Sequence, residues 1–141
     1  MANTLYDKGR ERFLTAALNW SSDTIKVALV DTGSYTANFS THEYLSDIPA
    51  AAFIAPTNGS QAGVTLTGKT TTGGAADGAD TTFSAVSGTS IEAIILYKDT
   101  GVVGTSPLIA YIDTATGLPI TPNGGDIIVT WDNGTNKIFK L

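Results

Sequence analysis

From residue 24 onward the chain alternates apolar and polar side chains with a period of two. Ile25, Val27 and Leu29 fall on one side of residues 24–29, the pattern of a half-buried antiparallel strand. Residues 63–67 and 81–86 read as further short strands. Residues 90–98 give the strongest strand signal. There Ile91, Ala93, Ile95 and Tyr97 oppose Glu92, Ile94, Leu96 and Lys98, so the centre of both faces is apolar and both are expected to be covered. In residues 107–113, Leu108, Ala110 and Ile112 alternate against Ile109 and Tyr111. Residues 126–131 point Ile127, Val129 and Trp131 inward. Asn133-Gly134 marks a turn, because this pair accepts positive φ at little cost, and residues 138–141 return as the closing strand. Residues 32–46, 70–80 and 117–125 read as loops, and the apolar stretch 48–56, bounded by prolines, is ambiguous.

Before residue 20 the period is helical. Leu5, Tyr6, Phe13, Leu14, Ala17 and Leu18 share one side, with Lys8, Arg10, Glu11 and Arg12 mainly elsewhere. Thr4 suits an N-cap and Asp7 the third helical position, so a helix over residues 4–19 is predicted, stopping at Asn19. Gly9 weakens it by about 1 kcal/mol relative to alanine. The expected fold class is mainly β. One domain over residues 1–141 carries this N-terminal helix ahead of a β-body over residues 23–141. That body is expected to be a single antiparallel β-sandwich or jelly-roll-like barrel of about seven to eight strands.

Composition narrows the function classes. With no cysteine, disulfides and thiolate metal sites are excluded. A net charge of −5 argues against a phosphate-backbone partner, so no nucleic acid is expected. The apolar runs are too short to span a bilayer, and the charged start does not resemble a signal peptide, so synthesis in a cytoplasm and no membrane partner are expected.

Candidate chemistry is sparse. His42 is the one histidine, in a polar loop beside Glu43, and no G-x-S-x-G elbow accompanies it. It reads as a solvated loop residue rather than a general base, and no catalytic residue is assigned. Asp77 and Asp80 sit in a glycine-rich loop that could hold Ca²⁺, but their spacing matches no calcium motif and a solvated turn is the simpler reading. No pattern requires a cofactor. Lys8, Arg10 and Arg12 place three of the eight basic residues within five positions, either as a solvated helix face or as a docking patch. Arg10, Arg12, Phe13 and Trp20 are the candidate partner-docking residues. On this reading the two arginines are exposed, and reversing both charges leaves the fold intact.

Several stretches are similar to a group of tailed-bacteriophage virion proteins. They are Lys8-Gly9-Arg10-Glu11-Arg12-Phe13-Leu14, Asn19-Trp20, residues 23–31, His42-Glu43-Tyr44-Leu45-Ser46-Asp47-Ile48-Pro49, Leu66-Thr67-Gly68-Lys69-Thr70, residues 83–88, residues 94–101 and residues 112–119 through Trp131-Asp132-Asn133-Gly134. The resemblance covers most of the chain, and its motifs carry no chemistry. It implies a structural protein of the phage particle. Size and fold class then suggest a capsid decoration, or cement, protein on the capsid surface of the virion. Such a protein is non-enzymatic and clamps the major capsid protein, and it is expected to self-associate as a homo-dimer or homo-trimer. A tail or neck component, such as a fibre base or adaptor, is the alternative. A glycan-binding host-recognition module is a further one, and it would need Trp20, Trp131 and Tyr97 to line an exposed groove.

Overall fold

A computed structural model describes residues 3–54 and 63–141, and among these nine short strands, one α-helix and four single-turn 3-10 helices build the protein. The strands are β1 (Thr4–Leu5), β2 (Ile25–Val30), β3 (Val64–Thr65), β4 (Ala75–Ala76), β5 (Thr81–Phe83), β6 (Ala93–Lys98), β7 (Leu108–Ile112), β8 (Ile127–Val129) and β9 (Phe139–Lys140); the helix α1 spans Asp7–Leu14. Five strands form one antiparallel sheet in the order β1-β7-β6-β2-β3. Two further pairs, β4 with β9 and β5 with β8, are antiparallel as well. The class is mainly β and sandwich-like. Of the two expected forms it follows the sandwich: among the described residues β1, β8 and β9 each pair on one side only, so no barrel closes.

The large sheet is buried on both faces, as the doubly apolar pattern of β6 requires. On one face Ile25, Val27 and Leu29 from β2 meet Ile94 and Leu96 from β6, together with Phe83, Val129, Trp20 and Trp131 from the covering pairs and loops. On the other, Ala28, Val30, Ile95 and Tyr97 meet Tyr6, Tyr35, Leu45, Ile48 and Phe53. This second face has no covering sheet. Residues 35–53 cover it as an irregular layer, braced by single bridges of Val30 to Phe53 and Tyr44 to Pro107. The ambiguous stretch 48–56 belongs to that layer through Phe53, while Ile54 packs in the core of the other face; its last two residues lie outside the described ones.

Three features depart from the pattern the sequence predicts. In β7, Leu96 of β6 pairs with Ala110 but Tyr97 pairs with Leu108, so Ile109 is an extra residue and the phase of the strand flips there. Leu108 therefore shares a core with Tyr111, and Ile109 with Ala110. The loop 70–80 contributes β4, whose two alanines are buried against β9. The Asn133-Gly134 segment does not close a hairpin: β8 pairs with β5 and β9 with β4, and positive φ is taken by Lys137 instead.

The predicted helix is shortened at both ends. Thr4 is a strand residue, its Cα register matching Tyr111, and Tyr6 starts the helix without a side-chain cap. The helix ends after Leu14, where Ala16 takes φ 61° and the amides of Ala17 and Leu18 fold back to the Arg12 carbonyl.

Thr81 points into the core with Phe83, and its Oγ1 is buried with no hydrogen-bond partner among the described residues. An unmet buried hydroxyl is unfavourable. Thr81→Val keeps the branched shape and should raise stability by about 1 kcal/mol. A urea midpoint at or below that of the parent chain would show that the hydroxyl has work to do.

Candidate functional site

The proposed docking patch on α1 is largely spent within the chain. Lys8 pairs with Glu11 at 3.0 Å and Arg10 with Asp7 at 2.8 Å, both at helical spacing on the surface. Arg12 reaches across to the covering layer. One guanidinium nitrogen donates to the Glu43 carboxylate at 2.7 Å and to the Tyr44 hydroxyl at 2.9 Å, and the group lies 5.0 Å from the centre of the Tyr44 ring. That hydrogen bond holds the Glu43 carboxyl below its ordinary value. Phe13 is half-buried and packs on Phe139. Trp20 is buried, set edge-on against Phe139 at 5.2 Å, with its indole N–H donating to the Asp77 carbonyl. Of the four candidate contacts, only Arg10 keeps an exposed side chain; Arg12, Phe13 and Trp20 fasten the N-terminal segment to the body.

The expectation that both arginines can be reversed without harm to the fold needs correction at Arg12. Arg12→Ala should cost about 1–2 kcal/mol, allowing for solvent around the pair, whereas Arg10→Ala should stay within about 0.5 kcal/mol. Thermal or urea unfolding of the two single variants separates them. Equal, negligible effects would mean that the Arg12 network adds nothing.

The other candidate groups are dispersed. His42 is half-buried. Its Nδ1 accepts the backbone N–H of Asn38 at 3.1 Å and lies 2.9 Å from the Tyr35 hydroxyl. The Tyr35 hydroxyl in turn lies 2.8 Å from that of Tyr6. This chain of contacts ties the covering layer to the start of α1. Asp47 accepts the N–H groups of Glu43 and Tyr44 in the same layer, and these outweigh the upward push of burial and leave its carboxyl below its usual range. Asp77 and Asp80 are directed to different partners: the Asp77 carboxylate lies 4.0 Å from Lys137, and Asp80 accepts the backbone N–H of Trp131. No group of three or more potential metal ligands occurs among the described residues.

Burial pushes the phenols of Tyr35 and Tyr97 up to about 12, and that of Tyr6 further still. An unfolded chain releases these protons near pH 10 while the native one retains them. The contribution of these phenols to stability is therefore complete below pH 10 and is lost as the pH rises from there through 12. Tyrosinate absorbance should rise together with the change in tryptophan fluorescence that reports unfolding. Full ionisation of all five tyrosines near pH 10 with native fluorescence would contradict this.

Trp20, Trp131 and Tyr97 do not form a shared aromatic groove. Trp20 and Tyr97 are buried on opposite faces of the large sheet, and the Trp131 indole N–H is held by the Ala79 carbonyl.

What the surface offers instead is an apolar cleft of about 620 Å³. It is lined by Leu29 and Ile94 of the large sheet, by Ile91, by β8 with residues 130–132, and by residues of the segment after β7. A smaller recess of about 230 Å³ adjoins it, between β1 and β7 on one side and β9 on the other. The two share Asn3, Ile112 and Ile138. The cleft is invisible in the sequence because its walls come from strands far apart along the chain. The one local hint is Ile128, an isoleucine on the polar side of its strand pattern and 62% exposed. No helix among the described residues is long and apolar enough to cross a membrane.

No protein-family model matches the chain, and no curated protein matches it at a significant level.

Proposed function

We propose that this chain is a structural subunit of a tailed-bacteriophage particle, a capsid decoration protein that clamps neighbouring major capsid subunits without doing chemistry on them. The reading is carried by the resemblance to phage virion proteins in stretches spread over most of the sequence. Where those stretches fall in the fold supports it. Residues 8–14 form α1, residues 23–31 contain β2, residues 42–49 belong to the covering layer, and residues 94–101 contain most of β6. They pack on one another, through Arg12 to Glu43 and through the β2–β6 pairing. Residues spent on shape suit a protein whose role is to present a rigid surface. A clamp of this kind gains its hold by summing several modest contacts to linked neighbours. Self-association with closed symmetry would multiply them.

Quantitative mass spectrometry of purified particles tests the reading. A copy number comparable with that of the major capsid protein is expected. A few copies per particle would place the chain in the tail or neck instead, and complete absence from mature particles would remove the proposal.

A further inference from the structure

We infer that the open side of the β-body is a strand-accepting groove for a short, extended, apolar segment with acidic flanks, supplied by a partner protein. The first support is geometric. Successive side chains of a strand point to opposite faces, so a cavity lined by one face touches alternate residues. This cleft is lined by Ile127, Ile128 and Val129 in succession, and the adjoining recess by Ile138, Phe139 and Lys140 in succession. Runs of that kind mean that β8 and the β9 segment meet the opening edge-on, with their backbones toward it. Among the described residues both strands pair on one side only, as does β1 at the opposite rim. An unpaired edge is a template for another strand, and main-chain hydrogen bonds to such an edge are how extended segments are commonly bound.

The second support is the chemistry of the lining. The half-buried Ile112, Leu118, Ile120 and Ile127 in the lining offer apolar surface to alternate side chains of a guest strand, and exposed Ile128 extends it onto the rim. The charges select the flanks. The chain as a whole carries −5, yet Arg10, Lys137 and Lys140 line the two recesses against Asp132 alone. Arg10 is satisfied by Asp7, Lys137 is at the outer limit of pairing with Asp77, and Lys140 has no ion pair among the described residues. A basic rim on an acidic protein favours an acidic guest and disfavours a second copy presenting the same edges. That the guest belongs to a neighbouring subunit of a phage particle rests on the function proposed above; the groove itself does not.

The test uses the intact chain and three synthetic peptides, acetylated and amidated. One alternates valine and isoleucine between aspartates, the second has lysines in place of the aspartates, and the third is the acidic peptide N-methylated at alternate amides. Calorimetric titration should detect the acidic peptide. The lysine and N-methylated peptides should bind at least about tenfold more weakly. Hydrogen exchange should slow at residues 127–130 only with the acidic peptide. Ile128→Asp, at an exposed position that the fold tolerates, should abolish binding with an unchanged melting temperature. Lys137→Glu with Lys140→Glu should reverse the preference toward the lysine peptide. Absence of binding at millimolar peptide, equal binding of all three peptides, or unprotected β8 amides would overturn the inference. A dimer that Ile128→Asp disperses, with no peptide bound, would overturn it too, since the occupant would then be a second copy. Peptide binding combined with absence from particles would leave the groove standing and remove only its assigned partner.

Discussion

Trp20→Ala is expected to destabilise the protein by about 3–5 kcal/mol, the range for removing a buried large aromatic side chain. The indole is 4% exposed and fills the core on one face of the large sheet, edge-on to Phe139. Its N–H also donates to the Asp77 carbonyl, which keeps the Thr70 N–H when the indole is removed, so truncation leaves a cavity and loses one hydrogen bond. Trp20→Phe should retain much of the packing and lose the hydrogen bond, giving a smaller loss. Urea unfolding of both variants measures this. If Trp20→Ala left stability unchanged and reduced only incorporation into particles, the residue would be a docking contact, as its sequence position suggests, and its burial in the core would be wrong.

Gly9→Ala is expected to reverse the usual sign of that substitution. In a solvent-facing helix it gains about 1 kcal/mol. Here a Cβ on Gly9 would lie 2.7 Å from the Leu108 carbonyl oxygen and 3.2 Å from the Ile109 Cα, both backbone atoms of β7. Neither atom can swing away as a side chain would, so helix or strand has to shift. A loss of about 1–3 kcal/mol follows from such overpacking, and Gly9→Val should fail more severely. A higher melting temperature for Gly9→Ala would mean that α1 stands off from β7.

The case of Gly9 illustrates which parts of the fold can be read from the sequence. Alternation located β2, β6, β7 and β8, because each has several residues in contact with a core and the period of two records that contact directly. The apolar centre of both faces of β6 gave the two-sided cover of the sheet in the same way. What escaped depends on partners distant in sequence. β1 and β4 are two residues each, too short for any period, and exist because β7 and β9 lie beside them. The extra residue at Ile109 is set by register against β6, which alternation within β7 alone cannot supply. The helix ends at Leu14 although its apolar spacing continues, because Ala17 and Leu18 turn back toward Arg12. Among the candidate contacts, residue type was informative and exposure was not. Arg12 and Trp20 look like recognition residues in a list, but the partners that engage them, Glu43, Tyr44 and Phe139, are supplied by segments the helix pattern does not mention.

The registers of β1 and β9 bear on how the chain assembles. Thr4 finds its neighbour in Tyr111, and Ala76 finds its own in Phe139. Pairings of such long sequence separation form slowly, because a large loop must be ordered before any contact rewards it. During translation the segment around Trp20 has to wait for almost the whole polypeptide before Phe139 arrives to shelter it. A truncation that removes the last few residues would therefore strip cover from the first twenty, and expression as separate halves would leave each with apolar surface that only the other can hide.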